Sequence, residues 1–301
     1  MASSLTSPGL IVAGDKAIIA ARKQLEFVKL FATDFSADAV QPSSTLKIPV
    51  FSGSATDFDP DNSAGYNNPE GTIKWAAVTF SNHKKLTFGL SDKDKLGVDT
   101  DPFWANCGKA AGQGVGIALV NLVTSCLAYT AATQITSWSV SLANMAALRA
   151  KCSANNLDPA RCVVMLEPVS YAALLALLPS NVIGDGSAVV TGVAPGLFGF
   201  KAVCEAGTIS KASAADASKG VGFIVPEDGL AVAGRVVVPQ VGVCEEWGTT
   251  TDEITGLTLG HRVTVNQNSG ERFYTVEAVL GAALTDQSST GAPKILQLVT
   301  A

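Results

Sequence analysis

The stretch of chain from residue 110 to residue 148 contains no Asp, Glu, Lys or Arg. A surface helix carries charges on the side that faces water, so a stretch this long without them must be covered. The deficit extends to the whole chain, because 16% of its 301 residues are charged, against about 25% in a typical soluble protein. Much of this surface must therefore be covered, either by a membrane or by other protein molecules.

Polar side chains inside the charge-free stretch distinguish a membrane span from a helix that is buried by protein. A membrane span needs about 20 predominantly apolar residues, and the stretch is long enough. However, amides and hydroxyls interrupt it, namely Gln113, Asn121, Thr124, Ser125 and Gln134, and few Lys or Arg residues flank it. The sequence therefore favours a helix buried in a protein assembly, with no membrane contact.

A helix start signal lies just before the charge-free stretch. Asp99 and Asp101 precede Pro102, and an acidic cap followed by proline is typical of a first helical turn. No further proline occurs before residue 134. The sequence predicts a helix over residues 103–133, about 45 Å long at 1.5 Å per residue.

Three glycines, Gly108, Gly112 and Gly116, follow one another at intervals of four residues in this predicted helix. Residues four apart share one face, and glycines on a face let a second backbone approach closely. A nucleotide-binding loop is disfavoured, because no strand precedes these glycines and their spacing differs from G-x-G-x-x-G. We expect a tightly packed helix pair.

The rest of the chain mixes short strands and helices without a regular βαβ repeat, which predicts an α+β fold. Helices are predicted over residues 14–31, 139–155 and 168–178. Strands are predicted over residues 46–50, 73–80, 85–90, 162–166, 200–204, 222–225, 230–238, 241–247, 257–265 and 272–279. The uninterrupted apolar run at 162–166 is typical of a strand buried on both faces.

A long hairpin is predicted from the first two of these strands. They flank residues 52–72, which are rich in Gly, Ser, Asp, Asn and Pro, and Pro49 restricts its strand to the edge of a sheet. A loop of this length is usually functional or mobile. Because an isolated hairpin is not stable, it must lie on its own chain or on a neighbour.

Residues that could support catalysis or bind metal are sparse. His83 and His261 lie far apart, and the six cysteines form no C-x-x-C unit, which argues against zinc and disulfide frameworks and predicts buried thiols in a reducing cytosol. No nucleophile motif occurs. Glu205, Glu245 and Glu246 could form a carboxylate pair in space, but no motif indicates that they do. We expect no catalytic residues, no cofactor and no metal.

Two further features of the charge distribution are weak evidence for binding a cation or nucleic acid. Asp57, Asp59 and Asp61 resemble the start of a calcium loop, but Asn62 and Asn68 replace its glycine and glutamate, which excludes an EF-hand and leaves a solvated tip or an irregular cation site. The net charge is −5, and the chain shows no basic stripe of the kind that coats nucleic acid.

The order of elements resembles that of the major capsid proteins of tailed bacteriophages, the Hong Kong 97-type fold. The shared order is an N-terminal arm, a long hairpin, a long charge-poor helix, an α+β region and a late hairpin. The stretches that carry the likeness are residues 31–50, 161–175, 196–203 and 255–281. No secretory signal with a basic start and a cleavage site is visible. Some members of the family remove an N-terminal scaffold segment, but the short arm and Met1 argue against that here, so the resemblance implies a separate scaffold protein.

The resemblance implies a division of the chain into functional parts. These are an N-terminal arm at 1–45, an extended hairpin loop at 46–90, a peripheral domain at 91–132 and 236–285 with the long helix as its spine, an axial domain at 133–235, and a C-terminal extension at 286–301. The arm and the hairpin would reach across neighbouring subunits.

The resemblance also implies a shell of hexamers and pentamers around a double-stranded DNA phage genome. Its partners would be copies of the same chain, a portal, and scaffold or decoration proteins, assembled in the host cytoplasm into the virion capsid, with only non-specific proximity to DNA. Candidate inter-subunit contacts are Gly53, Phe58, Tyr66, Pro69, Lys84, Lys85, Gly184, Asp185 and Gly186. No local motif supports a lysine cross-link. Alternatives are an encapsulin-like compartment and, in other classes, a membrane protein or a hydrolase.

Overall fold

A computed structural model describes most of the chain. The described residues are 8–34, 45–52, 72–80, 82–91, 100–127, 134–155, 157–178, 192–207, 220–227, 229–240, 242–252, 255–266, 268–285 and 295–300. They form α-helices and strands in similar measure, which confirms the predicted α+β class.

Four α-helices are present among the described residues. They are α1 (Pro8–Leu25), α2 (Thr100–Cys126), α3 (Leu142–Ala154) and α4 (Pro168–Leu177). Helix α1 begins earlier than the predicted residue 14, because proline suits a first turn, and a 3-10 helix at Glu26–Leu30 continues it.

Helix α2 ends earlier than the predicted residue 133. Its last turn carries hydroxyl side chains that bond back to its own backbone, since Thr124 donates to the Val120 carbonyl at 3.0 Å and Ser125 to the Leu122 carbonyl at 2.6 Å. Such bonds compete with regular helix, and the Leu127 N–H closes the end on the Thr124 carbonyl at 3.1 Å. Residues 128–133 lie outside the described residues.

Fourteen strands are present in the described part of the chain. They are β1 (Ala32–Asp34), β2 (Thr45–Ser52), β3 (Thr72–Thr79), β4 (Asn82–Leu90), β5 (Gln134–Ile135), β6 (Cys162–Leu166), β7 (Val193–Pro195), β8 (Ala202–Glu205), β9 (Gly220–Pro226), β10 (Leu230–Arg235), β11 (Glu246–Thr251), β12 (Thr258–Val265), β13 (Arg272–Leu284) and β14 (Leu296–Val299).

The strand predicted over residues 241–247 begins only at Glu246, and that predicted over 230–238 is too long. Gly242 has a φ of 86°, a conformation that interrupts extended backbone. Strand β10 ends at Arg235, before Pro239, which cannot donate a ladder hydrogen bond. Strands β1, β5, β7 and β14 have two to four residues each, too few for a periodic pattern to reveal them.

The first sheet is organised around β13. One half of this strand pairs with β12 and the other half with β10, while β4 runs along its opposite edge. Strand β11 extends the sheet beyond β12, and β1 extends it in parallel beyond β10. Helix α2 covers one face, where Val115, Leu119 and Tyr274 lie in the main core.

The second sheet has the order β5-β14-β9-β6-β8-β7. Strand β6 is fully buried, as predicted. Its Val164 belongs to the core under α3 and α4, and its Met165 belongs to the main core. The predicted C-terminal extension contains β14, which is a buried inner strand of this sheet between β5 and β9.

All six cysteines are free. Four are buried, and Cys126 and Cys244 are half-buried, so the expected burial holds for four of them. Burial raises the pKa of Cys204 to about 12, which keeps this thiol protonated at neutral pH.

Candidate assembly surfaces

Helices α1 and α2 pack backbone against backbone at the three predicted glycines. A Cβ atom at Gly108 would lie 2.1 Å from the Ala13 carbonyl oxygen, and one at Gly116 would lie 3.1 Å from the Cα of Ala21. Residue numbers rise together along both helices, so the pair is parallel. The tightly packed helix pair predicted from the glycine spacing is therefore present, and its partner helix is α1.

A buried ion pair fixes α1 to the first sheet. Arg22 Nε lies 2.9 Å from Oδ1 of Asp252, whose side chain is only 2% exposed. The other carboxylate oxygen accepts a hydrogen bond from the Thr255 N–H at 2.7 Å and a second from the Thr255 hydroxyl at 2.5 Å. The carboxylate thus joins α1 to the turn between β11 and β12.

Part of the predicted arm packs within its own chain, and contact of the arm with neighbouring subunits stays a prediction. Residues 8–30 lie along α2 of their own chain, because the glycine face of α2 accepts the small side chains of α1. Residues 35–44 of the predicted arm lie outside the described residues.

Strands β2 and β3 form a separate two-stranded ribbon, which confirms the predicted hairpin. One face of the ribbon packs on its own chain, where Ile48 and Val78 meet Ala231 and Ala233. At this crossing a Cβ atom on Gly281 would lie 2.8 Å from the Thr79 carbonyl oxygen. The ribbon therefore rests on β10 and β13 by close backbone approach.

The other face of the ribbon is apolar and exposed. Ile73 is 57% exposed and Trp75 is 58% exposed, and Trp75 stands opposite the exposed Pro49 in the strand register. A large indole left in water forgoes substantial burial energy. Contiguous exposed apolar surface of this kind marks a contact surface for another protein.

The predicted contact residues Lys84 and Lys85 lie in β4, in the first sheet rather than in the ribbon. Lys85 is exposed and stands opposite Glu277 in the register of β4 and β13, whereas Lys84 is half-buried. Glu277 is buried and is held by His83, whose Nε2 lies 2.9 Å from Oε2, and by Arg262. Of the two lysines, Lys85 is the one available to a neighbour.

The remaining predicted contact residues cannot be placed. Gly53, Phe58, Tyr66, Pro69, Gly184, Asp185 and Gly186 lie outside the described residues, as do Asp57, Asp59 and Asp61. The contact residues predicted from the sequence do not include Ile73 and Trp75. The alternation in β3, where Ala76 and Val78 face inward, would have placed Trp75 on the outer face.

The three glutamates that could have formed a carboxylate pair are spread over different parts of the fold. Glu205 lies in the second sheet, whereas Glu246 begins β11 and Glu245 directly precedes it. Glu245 pairs with Arg272 at 2.8 Å. Within the described part of the chain, no group of three or more His, Cys, Asp or Glu side chains could hold a metal ion. None of the described helices combines the length and apolar character needed to cross a bilayer.

Two sheets, a long helix and a two-stranded ribbon make up the described fold, and comparisons with known structures identify its class. No protein-family model matches the chain, and no curated protein matches it significantly. Solved structures do match over nearly its whole length.

Three of these structures illustrate the likeness. The capsid of Ralstonia phage GP4 is 9% identical, with 91% of this chain and 90% of that chain covered and a TM-score of 0.57. The capsid of cyanophage P-SCSP1u is 12% identical, with 91% and 88% covered and a TM-score of 0.56. A virus-like particle from Pyrococcus furiosus is 12% identical, with 95% and 97% covered and a TM-score of 0.54.

The chain therefore has the Hong Kong 97-type fold of tailed-phage capsid proteins, as its sequence predicts. At 9–12% identity this likeness shows the fold alone.

Proposed function

We propose that this protein assembles into an icosahedral shell of hexamers and pentamers that encloses a double-stranded DNA phage genome. Its role is structural rather than catalytic, and its main partners are copies of itself. The observation that carries the proposal is the match to phage capsids along about 90% of both chains.

The exposed face of the ribbon supports the proposal independently. A shell subunit must keep apolar surface exposed until a neighbour covers it. Trp75 and Ile73 present such surface on the face of the ribbon opposite to the one that packs on its own chain. Individual shell contacts can be weak, because closure of the shell makes each of them multivalent.

The sheets suggest a revised division of the chain. The peripheral domain would contain α1, α2 and the first sheet, including β4 and β10. The axial domain would contain α3, α4 and the second sheet, including β14. The extended loop is then residues 45–80. This division keeps hydrogen-bonded strands in the same domain.

Other proposed partners follow from the function rather than from particular residues. A DNA-filled phage shell requires a portal for genome entry, and scaffold or decoration proteins would act during or after assembly in the host cytoplasm. An encapsulin-like protein compartment without a genome is the competing function for the same fold. Its subunits would form shells without nucleic acid.

Electron microscopy and sizing of the purified full chain test the proposal. We expect megadalton shells that form without detergent, and native particles that contain DNA. A matched deletion of residues 53–69 should leave a folded subunit that cannot form stable shells. Particles that never contain nucleic acid would support the compartment instead, and a chain that stays monomeric would reject both functions.

A further inference from the structure

A basic groove runs between α1 and α2 on the outside of the helix pair. It has a volume of about 490 Å³ and is lined by Lys16, Ile19, Ala20, Lys23 and Gln24 of α1, and by Ala105, Asn106, Lys109 and Gln113 of α2. Three lysines therefore line it, and its lining includes no acidic residue.

The three lysines of the groove are exposed, and none of them forms a salt bridge with any described residue. Asp15 and Glu26 lie nearby in sequence but do not line the groove. The chain as a whole carries a net charge of −5, so uncompensated positive charge is concentrated here. Like charges held close together repel, and an anion bound between them would relieve that repulsion.

The glycine contacts between the helices bring the lysines together. The distance between two packed helices depends on the side chains at their contact, and Gly108 and Gly112 contribute none. Because Ala13 opposes Gly108 and Ala17 opposes Gly112, Lys109 lies within about one turn of Lys16 across the groove. Lys23 follows Lys16 on the same wall, about 10.5 Å further along the helix axis.

We propose that this groove binds the phosphodiester backbone of nucleic acid. Ammonium groups are suited to phosphate as point charges, and the amides of Gln24, Asn106 and Gln113 add neutral hydrogen-bond donors beside them. No aromatic side chain lines the groove, so bases have no stacking platform. Contacts to phosphate without base contacts predict binding that is independent of sequence and sensitive to salt.

This inference rests on the proposed function. In a shell whose subunits turn α1 and α2 toward the interior, the groove would face the genome. An acidic peptide, such as a segment of a scaffold protein, is the competing occupant. Phosphodiester is favoured because lysines stand on both walls of the groove, with amide donors beside them and no acidic residue in the lining. Such a lining suits a repeating anionic backbone, because each ammonium group can meet a phosphate.

Fluorescence anisotropy with a labelled DNA duplex of about 30 base pairs tests the groove, at salt concentrations from about 50 to 200 mM. The protein is the unassembled fraction of the full chain. The groove variant combines Lys16→Gln, Lys23→Gln and Lys109→Gln. The control combines Lys29→Gln, Arg149→Gln and Lys151→Gln, which removes the same charge from exposed positions outside the groove.

The logarithm of the binding constant falls linearly with the logarithm of the salt concentration, and each phosphate contact contributes about 0.9 to the magnitude of that slope. The groove variant loses three such contacts, so we expect the magnitude of its slope to be smaller by about 2.7. The control should keep the wild-type slope. Equal affinities and slopes for the two variants would overturn the proposal. The proposal would also be overturned if the protein bound polyglutamate more tightly than a duplex of equal charge and the groove variant lost the binding of polyglutamate.

Assembly is measured separately in the same preparations, by sizing chromatography. A chain that binds the duplex through the groove but never forms shells would contradict the proposed function and support the groove. A chain that forms shells but binds the duplex equally well in both variants would contradict the groove alone.

Discussion

Gly112 and Ala17 bring the backbones of α1 and α2 into contact, since a Cβ atom at Gly112 would lie 2.1 Å from the Ala17 carbonyl oxygen. Neither helix can shift locally, because the same contact recurs one turn away at Gly108. The relationship explains why a glycine is placed in the middle of a long helix, where it weakens helix formation by about 1 kcal/mol relative to alanine.

The first prediction concerns Gly112→Ala. Helix propensity alone would stabilise this variant by about 1 kcal/mol, but the clash with backbone should instead lower the free energy of unfolding by roughly 1–3 kcal/mol. Gly114→Ala is the matched control, because its Cβ would meet only the flexible end of Leu86. Denaturant unfolding compares the two variants, and equal stabilities would contradict the expected backbone contact.

The second prediction concerns the ion pair between Arg22 and Asp252. Arg22→Leu leaves a buried carboxylate without its cation, which should lower the free energy of unfolding by about 2–4 kcal/mol. Asp252→Asn in the same chain should restore part of the loss. The exposed pair of Arg272 and Glu245 is the control, and Arg272→Leu should change stability by less than about 1 kcal/mol. A double-mutant cycle by chemical denaturation measures both.

The third prediction is a pH dependence that comes from His261. This side chain is 1% exposed, and burial lowers its pKa from 6.5 to about 4. Above pH 6.5 the imidazole is neutral in both the folded and the unfolded chain. As the pH falls from 6.5 to 4, only the unfolded chain gains the proton, so the folded state should lose up to roughly 3 kcal/mol.

Unfolding of wild type and His261→Gln at several pH values isolates this contribution from that of the carboxylates. The Nδ1 atom of His261 lies 2.9 Å from the Tyr274 hydroxyl, and glutamine retains a polar group for that partner. The difference in stability between the two proteins should shrink as the pH falls from 6.5 to 4. A difference that stays constant over this range would show that His261 gains its proton equally in both states.

The fourth prediction concerns Trp75 on the open face of the ribbon. Because the indole is 58% exposed, Trp75→Ser should change the stability of the isolated subunit by no more than about 0.5 kcal/mol. It should nevertheless reduce shell yield strongly, since truncating a buried interface tryptophan removes about 2 kcal/mol or more per contact. Sizing chromatography and electron microscopy measure the yield. Trp75→Phe should retain shells, and normal shells from Trp75→Ser would remove the ribbon face from the assembly contacts.

Several local features follow directly from the sequence. The helix signal at Pro102, the glycine spacing in α2, the hairpin of β2 and β3 and the buried strand β6 each depend on residues a few positions apart. Helix and strand periodicity is a property of the local backbone, so such patterns can be recognised without knowing what lies opposite. The order of these elements is what made the resemblance to phage capsid proteins visible.

Tertiary structure decided which distant segments meet. The sequence did not indicate that β10 would pair with β13, that β14 would enter the second sheet, or that α1 would occupy the glycine face of α2. Long connections add little to the entropy of closure, so the partner of a strand is chosen by packing rather than by proximity in the chain. The basic groove follows the same rule: no basic stripe exists in the sequence, and Lys16, Lys23 and Lys109 become neighbours only because two helices pack without side chains between them.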